Sequence, residues 1–210
     1  MGRTDRLAPA HGTPPAGGTD PVHGRLLKAA LDLLVRQGPD ALTVRSVADT
    51  AGMSTMNVYS RFGGKNGLID HVLIEGFRRL GGNMHSVRRP DEPVTDLREA
   101  GAAYRRFAHD NPAHYSVMFS GVFPDHQRSA EAVSAGQAAF RELIDVITNG
   151  MGRGVFHCAD ALQASARVWA TVHGVVSLEM KAPPLGIDWD EVFETSTSTL
   201  LITLTPPANR

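Results

Sequence analysis

Hydroxyl, amide, phenol and ammonium side chains crowd one short stretch of the chain: Thr43, Ser54, Thr55, Asn57, Tyr59, Ser60 and Lys65, with Met56 among them. These types suit a polyanion better than a reaction. Hydroxyls, a phenol and an ammonium donate to phosphate oxygens, and helix N-termini add free backbone N–H groups. Asn57 carries the paired donor and acceptor that match adenine, while Thr55 and Met56 offer methyl groups to thymine. No catalytic set competes with this reading. Cys158 follows His157 in a glycine-rich connection without an orienting Asn or Asp motif. His109, His114, His157 and His173 are too scattered to hold a metal. Gly150, Gly152 and Gly154 lack the strand before and the Lys-Ser/Thr after that a phosphate loop needs. No enzyme activity, metal or cofactor is expected.

A second group is apolar and aromatic: Tyr104, Phe107, Tyr115, Met118, Phe119, Phe140, Trp169 and His173. Trp169 and His173 lie four residues apart and so share a helical face. One reading makes the group the lining of a ligand cavity that takes a hydrophobic or aromatic molecule. The other makes Trp169 a core filler and His173 a hydrogen-bonded structural histidine. Both stay open from sequence.

The elements that would position these residues are all helical. Asp20-Pro21 is an N-cap followed by proline at the first helical position, and Leu27, Ala30, Leu31 and Leu34 keep helical spacing up to Gly38-Pro39. Thr43 caps a short second helix over 44–50 with Val47, Ala48 and Ala51 inward. Gly52 supplies the reversal, and Ser54 caps a third helix over 55–61 with Val58 and Phe62 inward. Two short helices around a sharp turn are the layout that enters a DNA major groove. A fourth helix over 65–85 carries Leu68, Val72, Phe77 and Leu80 and ends before Pro90 and Pro93. Stripes then follow at Leu97, Ala100, Tyr104, Phe107 and Ala108, at Tyr115, Met118 and Phe119 after Asn111-Pro112, and at Ala132, Ala139, Leu143, Ile147 and Met151. Helices over 159–181 and 189–204 complete an all-α chain, the last opened by Asp188 after Pro183-Pro184. Gly174 leaves room for a close helix crossing.

The 210 residues carry a net charge of -1, but 1–89 hold 12 Lys/Arg against 7 Asp/Glu and 90–210 hold 9 against 15. A basic first half and an acidic remainder confine polyanion contact to one end. Residues 1–20 are rich in Gly and Pro and read as a disordered tail, whose Arg3 and Arg6 are solvated charges. A single cysteine, and no signal segment or 18-residue apolar run, predict a cytoplasmic protein without a membrane role.

The run LTVRSVADTAGMSTMNVYSRFGGKNGLID resembles the DNA-binding region of the TetR family of transcriptional regulators. The match rests on Leu42, Thr43, Val47, Ala48, Ala51, Gly52, Met53, Ser54, Val58, Tyr59, Arg61, Phe62, Lys65 and Leu68. Met56 stands where glycine is frequent, and Asn66-Gly67 where better helix formers are usual. The segment SARVWATVHGVVSLEM is similar to a regulatory-domain signature with Trp, His and Gly in one subgroup of that family. The resemblance implies a helix-turn-helix DNA-binding domain over 21–68 and a larger ligand-binding and dimerisation domain over 69–205. It implies that Thr43, Ser54, Tyr59 and Lys65 hold phosphates while Thr55, Met56, Asn57 and Ser60 face the bases. It also implies a homodimer through the last two helices, with Val175, Leu178, Val192, Phe193, Leu200 and Leu201 at the interface. Function follows as a ligand-responsive repressor on a palindromic operator. The rival is a helical small-molecule-binding protein or enzyme with a vestigial DNA-binding head.

Overall fold

A computed structural model describes residues 20–181 and 185–205, which form nine α-helices and one 3-10 turn and no strand. Of the expected tail only Asp20 is described; the rest of it, with Arg3 and Arg6, and the Pro183-Pro184 pair, lie outside the described residues.

Helix α1 (Pro21–Gln37) starts where its cap predicts: the Asp20 carboxylate accepts from the Val22 N–H at 2.9 Å. Its buried face is Leu26, Leu27, Ala29, Ala30 and Leu33, which corrects the expected stripe, since Leu31 and Leu34 are only half-buried. The reason is that α1 is packed by α2 (Val44–Ala51), α4 (Lys65–Ser86) and α6 (Pro112–Phe119), so the core arc is wider and rotated relative to a single stripe. Thr43 caps α2 reciprocally with Ser46, each hydroxyl accepting from the other's backbone N–H at 3.0 Å. Gly52 then closes α2 at φ 65°, the left-handed region that glycine occupies without strain. Helix α3 (Thr55–Phe62) buries Val58 and Phe62 against α4.

The turn from α3 into α4 is tighter than its sequence suggests. A Cβ added at Gly67 would fall on the Phe62 carbonyl, 2.9 Å from its carbon and nearer still to its oxygen. Gly67 is therefore a close-approach residue, and the helix propensity it lacks is exchanged for contact between two backbones.

Helix α4 is shared by the two halves of the molecule. At one end it packs on α1 and α3, and further along on α5 (Pro93–Asp110), α6 and α7 (Ala130–Gly152). Leu68, Val72, Phe77 and Leu80 are all buried, as their spacing predicts, and Ile69, Leu73, Ile74 and Met84 join them. Fully burying each such side chain is worth about 1.5–3 kcal/mol before chain entropy is counted. The α4–α5 link is pinned by Asp96, fully buried, which accepts from Arg88 Nε and from the Arg89 N–H. Gly150 and Gly152 belong to the end of α7, and Gly150 packs closely on the Phe156 ring.

Helices α8 (Ala161–Lys181) and α9 (Trp189–Leu204) pack on each other and on α5. Asp188 caps α9 through the Asp190 and Glu191 N–H groups. Arg105 of α5 ties all three, donating to both Glu179 oxygens at 2.9 and 2.7 Å and lying 2.7 Å from Asp190. Two residues expected on a subunit interface are corrected: Phe193 and Leu201 are 4% and 6% exposed and belong to the core of this chain. Their side of α9 turns inward onto α5 and α8. Leu178 and Ile202 are the residues that project outward, at 62% and 75% exposure.

Candidate nucleic-acid interface and ligand cavity

The first candidate site forms where α2 and α3 meet the start of α4. Thr43, Ser54, Thr55, Met56, Tyr59, Ser60 and Lys65 are all exposed, Met56 at 70% and Tyr59 at 54%. Nothing among the described residues uses Met56 or Tyr59 for packing of the core. Ser54 occupies the N-cap of α3, but its hydroxyl takes the Asn57 amide at 3.1 Å instead of a backbone N–H. That corrects its expected role: the first-turn N–H groups of α3 lack a side-chain cap, as do those of α4, whose N-cap is Gly64. Two helix N-termini with unsatisfied donors, flanked by Tyr59 and Lys65, form a place for oxyanions.

Asn57 differs from its neighbours. It is half-buried, donates to Ser54 and accepts from Arg61 Nη1 at 3.1 Å, so both halves of its amide already have partners. One N–H and one lone pair of the amide stay open to a base edge, and the two bonds fix its orientation. Arg61, which sequence reasoning counted only as a motif position, also donates to Asp20 at 2.6 Å and thereby joins α3 to the cap of α1. That bond holds the Asp20 carboxyl below its usual range. Lys65 lies with its ammonium 5.5 Å from the centre of the Phe123 ring, in the α6–α7 loop.

The second candidate site is a cavity of about 490 Å³ between α4, α5, α6, α7 and α8. Six of the eight residues expected to line it do so: Tyr104, Met118, Phe119, Phe140, Trp169 and His173. Phe107 and Tyr115 are corrections, being 0% and 2% exposed and buried in the core outside the lining. Trp169 does not fill the core; at 40% exposure it forms part of the rim. His173 combines both expected roles, because it lines the cavity while the Tyr104 and Tyr115 hydroxyls lie 2.8 and 3.1 Å from its Nδ1. Burial raises both phenols, Tyr104 far above its usual range, and lowers His173, so it favours the uncharged form of all three.

Sequence reasoning missed the opposite wall. Phe77, Leu80 and Met84 from α4 face Ala132, Val133, Gly136, Ala139 and Leu143 from α7, and Arg128 stands exposed at the mouth. The signal was present as the small-residue run AEAVSAGQAA, whose Ala132, Gly136 and Ala139 recur on one helical face and leave the space empty. Arg128 lies in a loop, where periodicity carries no information. Its Nη2 donates to the Met118 carbonyl at 2.6 Å, and its guanidinium carbon lies 5.8 Å from the centre of the Phe77 ring.

The same loop grips α4. Asp70 accepts from His126 Nε2 at 3.0 Å and from the Ser129 N–H at 3.1 Å, next in sequence to Arg128. Among the described residues no group of three His, Cys, Asp or Glu side chains is placed to hold a metal, and no helix is long and apolar enough to cross a membrane.

Residues 26–72 match the family described as bacterial regulatory proteins of the tetR family, and residues 97–200 match the tetracyclin repressor-like C-terminal domain. An uncharacterised HTH-type transcriptional regulator of Mycobacterium tuberculosis is 29% identical over 182 residues, covering 80% of this chain and 74% of its own length. Among solved structures, a Rhodococcus protein of unknown function is similar with a TM-score of 0.78 at 23% identity, over 93% of this chain and all of its own. The TetR family transcriptional regulator PfmR from Thermus thermophilus matches with a TM-score of 0.67 at 20% identity, over 87% of this chain and all of its own.

Proposed function

We propose, from the premise that this chain belongs to the TetR family of DNA-binding transcriptional regulators, that it is a homodimeric repressor released from its operator by a small molecule. The observation that carries the reading is the pairing of two sites on one helix: the exposed, uncapped start of α3 and α4, and the cavity walled by the far half of α4. The DNA-binding domain is residues 21–68 and the ligand-binding and dimerisation domain residues 69–205. Thr43, Tyr59, Lys65 and the two helix N-termini hold phosphates, while Thr55, Met56, Ser60 and Asn57 meet base edges. This is binding, with no chemical step. A ligand shifts the protein only if it binds the two states unequally.

Family members bind operators and effectors and dimerise; the partner surface proposed for this chain is the outer face of α8 and α9. Ala166, Ala170, Gly174 and Leu178 form one i, i+4 row that is exposed or half-buried, and a Cβ added at Gly174 meets nothing within 4 Å. Gly174 therefore has no close helix crossing within the protomer. A row of small residues of this kind lets a second helix approach closely. Thr195, Thr199 and Ile202 extend the face on α9. Two heads about 34–36 Å apart then read a palindrome.

Fluorescence anisotropy on the DNA flanking the protein's own gene tests the reading. A saturable rise in anisotropy on a palindromic segment, weakening steeply with salt, is the expected result. Equal affinity for all sequences at every salt concentration would leave only non-specific binding and sink the proposal.

A further inference from the structure

The cavity has one feature that its apolar lining does not explain. Its walls are aromatic rings: Phe119 lies 6.4 Å from Trp169 and 5.0 Å from His173, Trp169 lies 5.8 Å from Phe140, and Phe77 lies 5.9 Å from Phe119. Into this setting the fold places a guanidinium. Among the described residues Arg128 has no carboxylate within ion-pair distance; its partners are the neutral Met118 carbonyl and the face of Phe77. Among the described residues no acidic side chain lines the cavity, and burial disfavours the charged form of His173. Elsewhere in the same half the arginines that touch other elements find acids, Arg88 with Asp96 and Arg105 with Glu179. Among the described lining residues Arg128 is the one Arg, Lys, Asp or Glu side chain, and five N–H donors in a planar fork match an oxyanion.

We propose, resting on the reading of this cavity as the effector site, that its occupant is an aromatic amphiphile with a single oxyanion head group, a carboxylate or sulfonate, which Arg128 holds at the mouth. The ring system lies among Phe77, Phe119, Phe140 and Trp169, and the volume of about 490 Å³ limits it to a few fused or linked rings. The head group replaces the Met118 carbonyl as the partner of Arg128. Because Ser129 follows directly and is bonded to Asp70, the anion acts one residue from the grip on α4.

The test uses two fluorescent probes with the same ring system, 8-anilinonaphthalene-1-sulfonate and the uncharged N-phenyl-1-naphthylamine, on the full-length protein. The sulfonate is expected to bind roughly five- to ten-fold more tightly, a gap set by charge-assisted bonds from an exposed arginine. Raising salt from low to about 0.5 M should close most of the gap by weakening the sulfonate alone. Arg128→Gln should remove the gap and leave the uncharged probe unchanged, which also shows that the variant is folded. Val133→Trp, adding bulk to the lining at the first turn of α7, should weaken both probes. Equal or tighter binding of the uncharged probe, or a gap that survives Arg128→Gln, overturns the head-group assignment while the cavity stands. No binding of either probe, or binding indifferent to Val133→Trp, overturns the cavity reading itself and this proposal with it.

Discussion

Gly67→Ala sets two physical effects against each other and gives them opposite signs. Alanine is better than glycine inside a helix by about 1 kcal/mol, so propensity alone predicts a gain. The structure predicts a loss. The added Cβ would stand 2.9 Å from the Phe62 carbonyl carbon and closer to its oxygen, below the 3.0 Å that real Cβ contacts essentially never breach. The obstacle is backbone, which cannot rotate away, and the link between α3 and α4 is short: Gly63 at φ 70° and Gly64 at φ 132° already use left-handed geometry. Either α3 must move out or the first turn of α4 must unwind. Overpacking of this kind costs about 1–3 kcal/mol when side chains can yield, and more here, so the net loss after the propensity gain is about 2 kcal/mol. For a chain of this size that is a fall of roughly 4–8 °C in melting temperature. Differential scanning calorimetry reads the sign, and operator anisotropy should show at least a ten-fold loss, because α3 carries the exposed side chains proposed to meet the bases. Binding of the uncharged probe in the distant cavity should persist. A raised melting temperature with unchanged operator affinity would refute the reasoning and show that the α3–α4 contact is looser than described.

Three further outcomes are expected. Tyr59→Ala and Lys65→Ala should each weaken DNA binding about equally on all sequences, with Lys65→Ala lowering the salt slope by about 1; a change in base preference would remove them from the phosphate-holding set. Ala170→Arg, on an exposed face of the protomer, should leave helix content intact and shift sedimentation from dimer to monomer; an unchanged dimer would place the interface elsewhere. The third concerns acid. Burial lowers the pKa of His23, His114 and His173, so each is neutral in the fold and takes up a proton more readily when unfolded. Stability is therefore full above about pH 6.5 and declines as pH falls below the unfolded histidine value, levelling once the folded values are passed. His114→Phe should flatten the decline between pH 7 and 5, since His114 is 3% exposed and its Nε2 has no hydrogen-bond partner among the described residues. A slope unaltered by His114→Phe would assign the effect to the other two.

Much of the architecture was legible because its signals are local. Asp20, Thr43 and Asp188 are caps whose side chains accept backbone N–H groups in the structure, and the start of each following helix falls where those residues place it. Stripes on α4 and α5 were legible for the same reason, a single period over five or more turns. Packing from several directions was not. The arc on α1 widens to Leu26 and Leu33 because α2, α3, α4 and α6 all meet it, and no period within α1 records them. Phe193 and Leu201 read as interface residues because an apolar helix face looks the same whether its partner is in the chain or outside it. The cavity was half legible: aromatic residues announced one wall, but Arg128 reached it from a loop and the α7 wall is made by what its side chains lack. Gly67 was read as a weak helix start because propensity is a property of one residue, whereas its use here depends on the carbonyl of Phe62.

Helix α4 runs for 22 residues, close to 33 Å at the usual rise. It behaves as a beam with two loads. The loop that bonds Asp70 and the cavity wall at Phe77 and Leu80 act on it at different distances from the head. A tilt of only about 5° about its far end moves its first turn by about 3 Å over that length. In the proposed dimer the displacement counts twice, once per arm. The gap between heads is then altered by nearly two base-pair steps, so a movement too small to disturb either domain is enough to take both heads out of register with the same stretch of duplex.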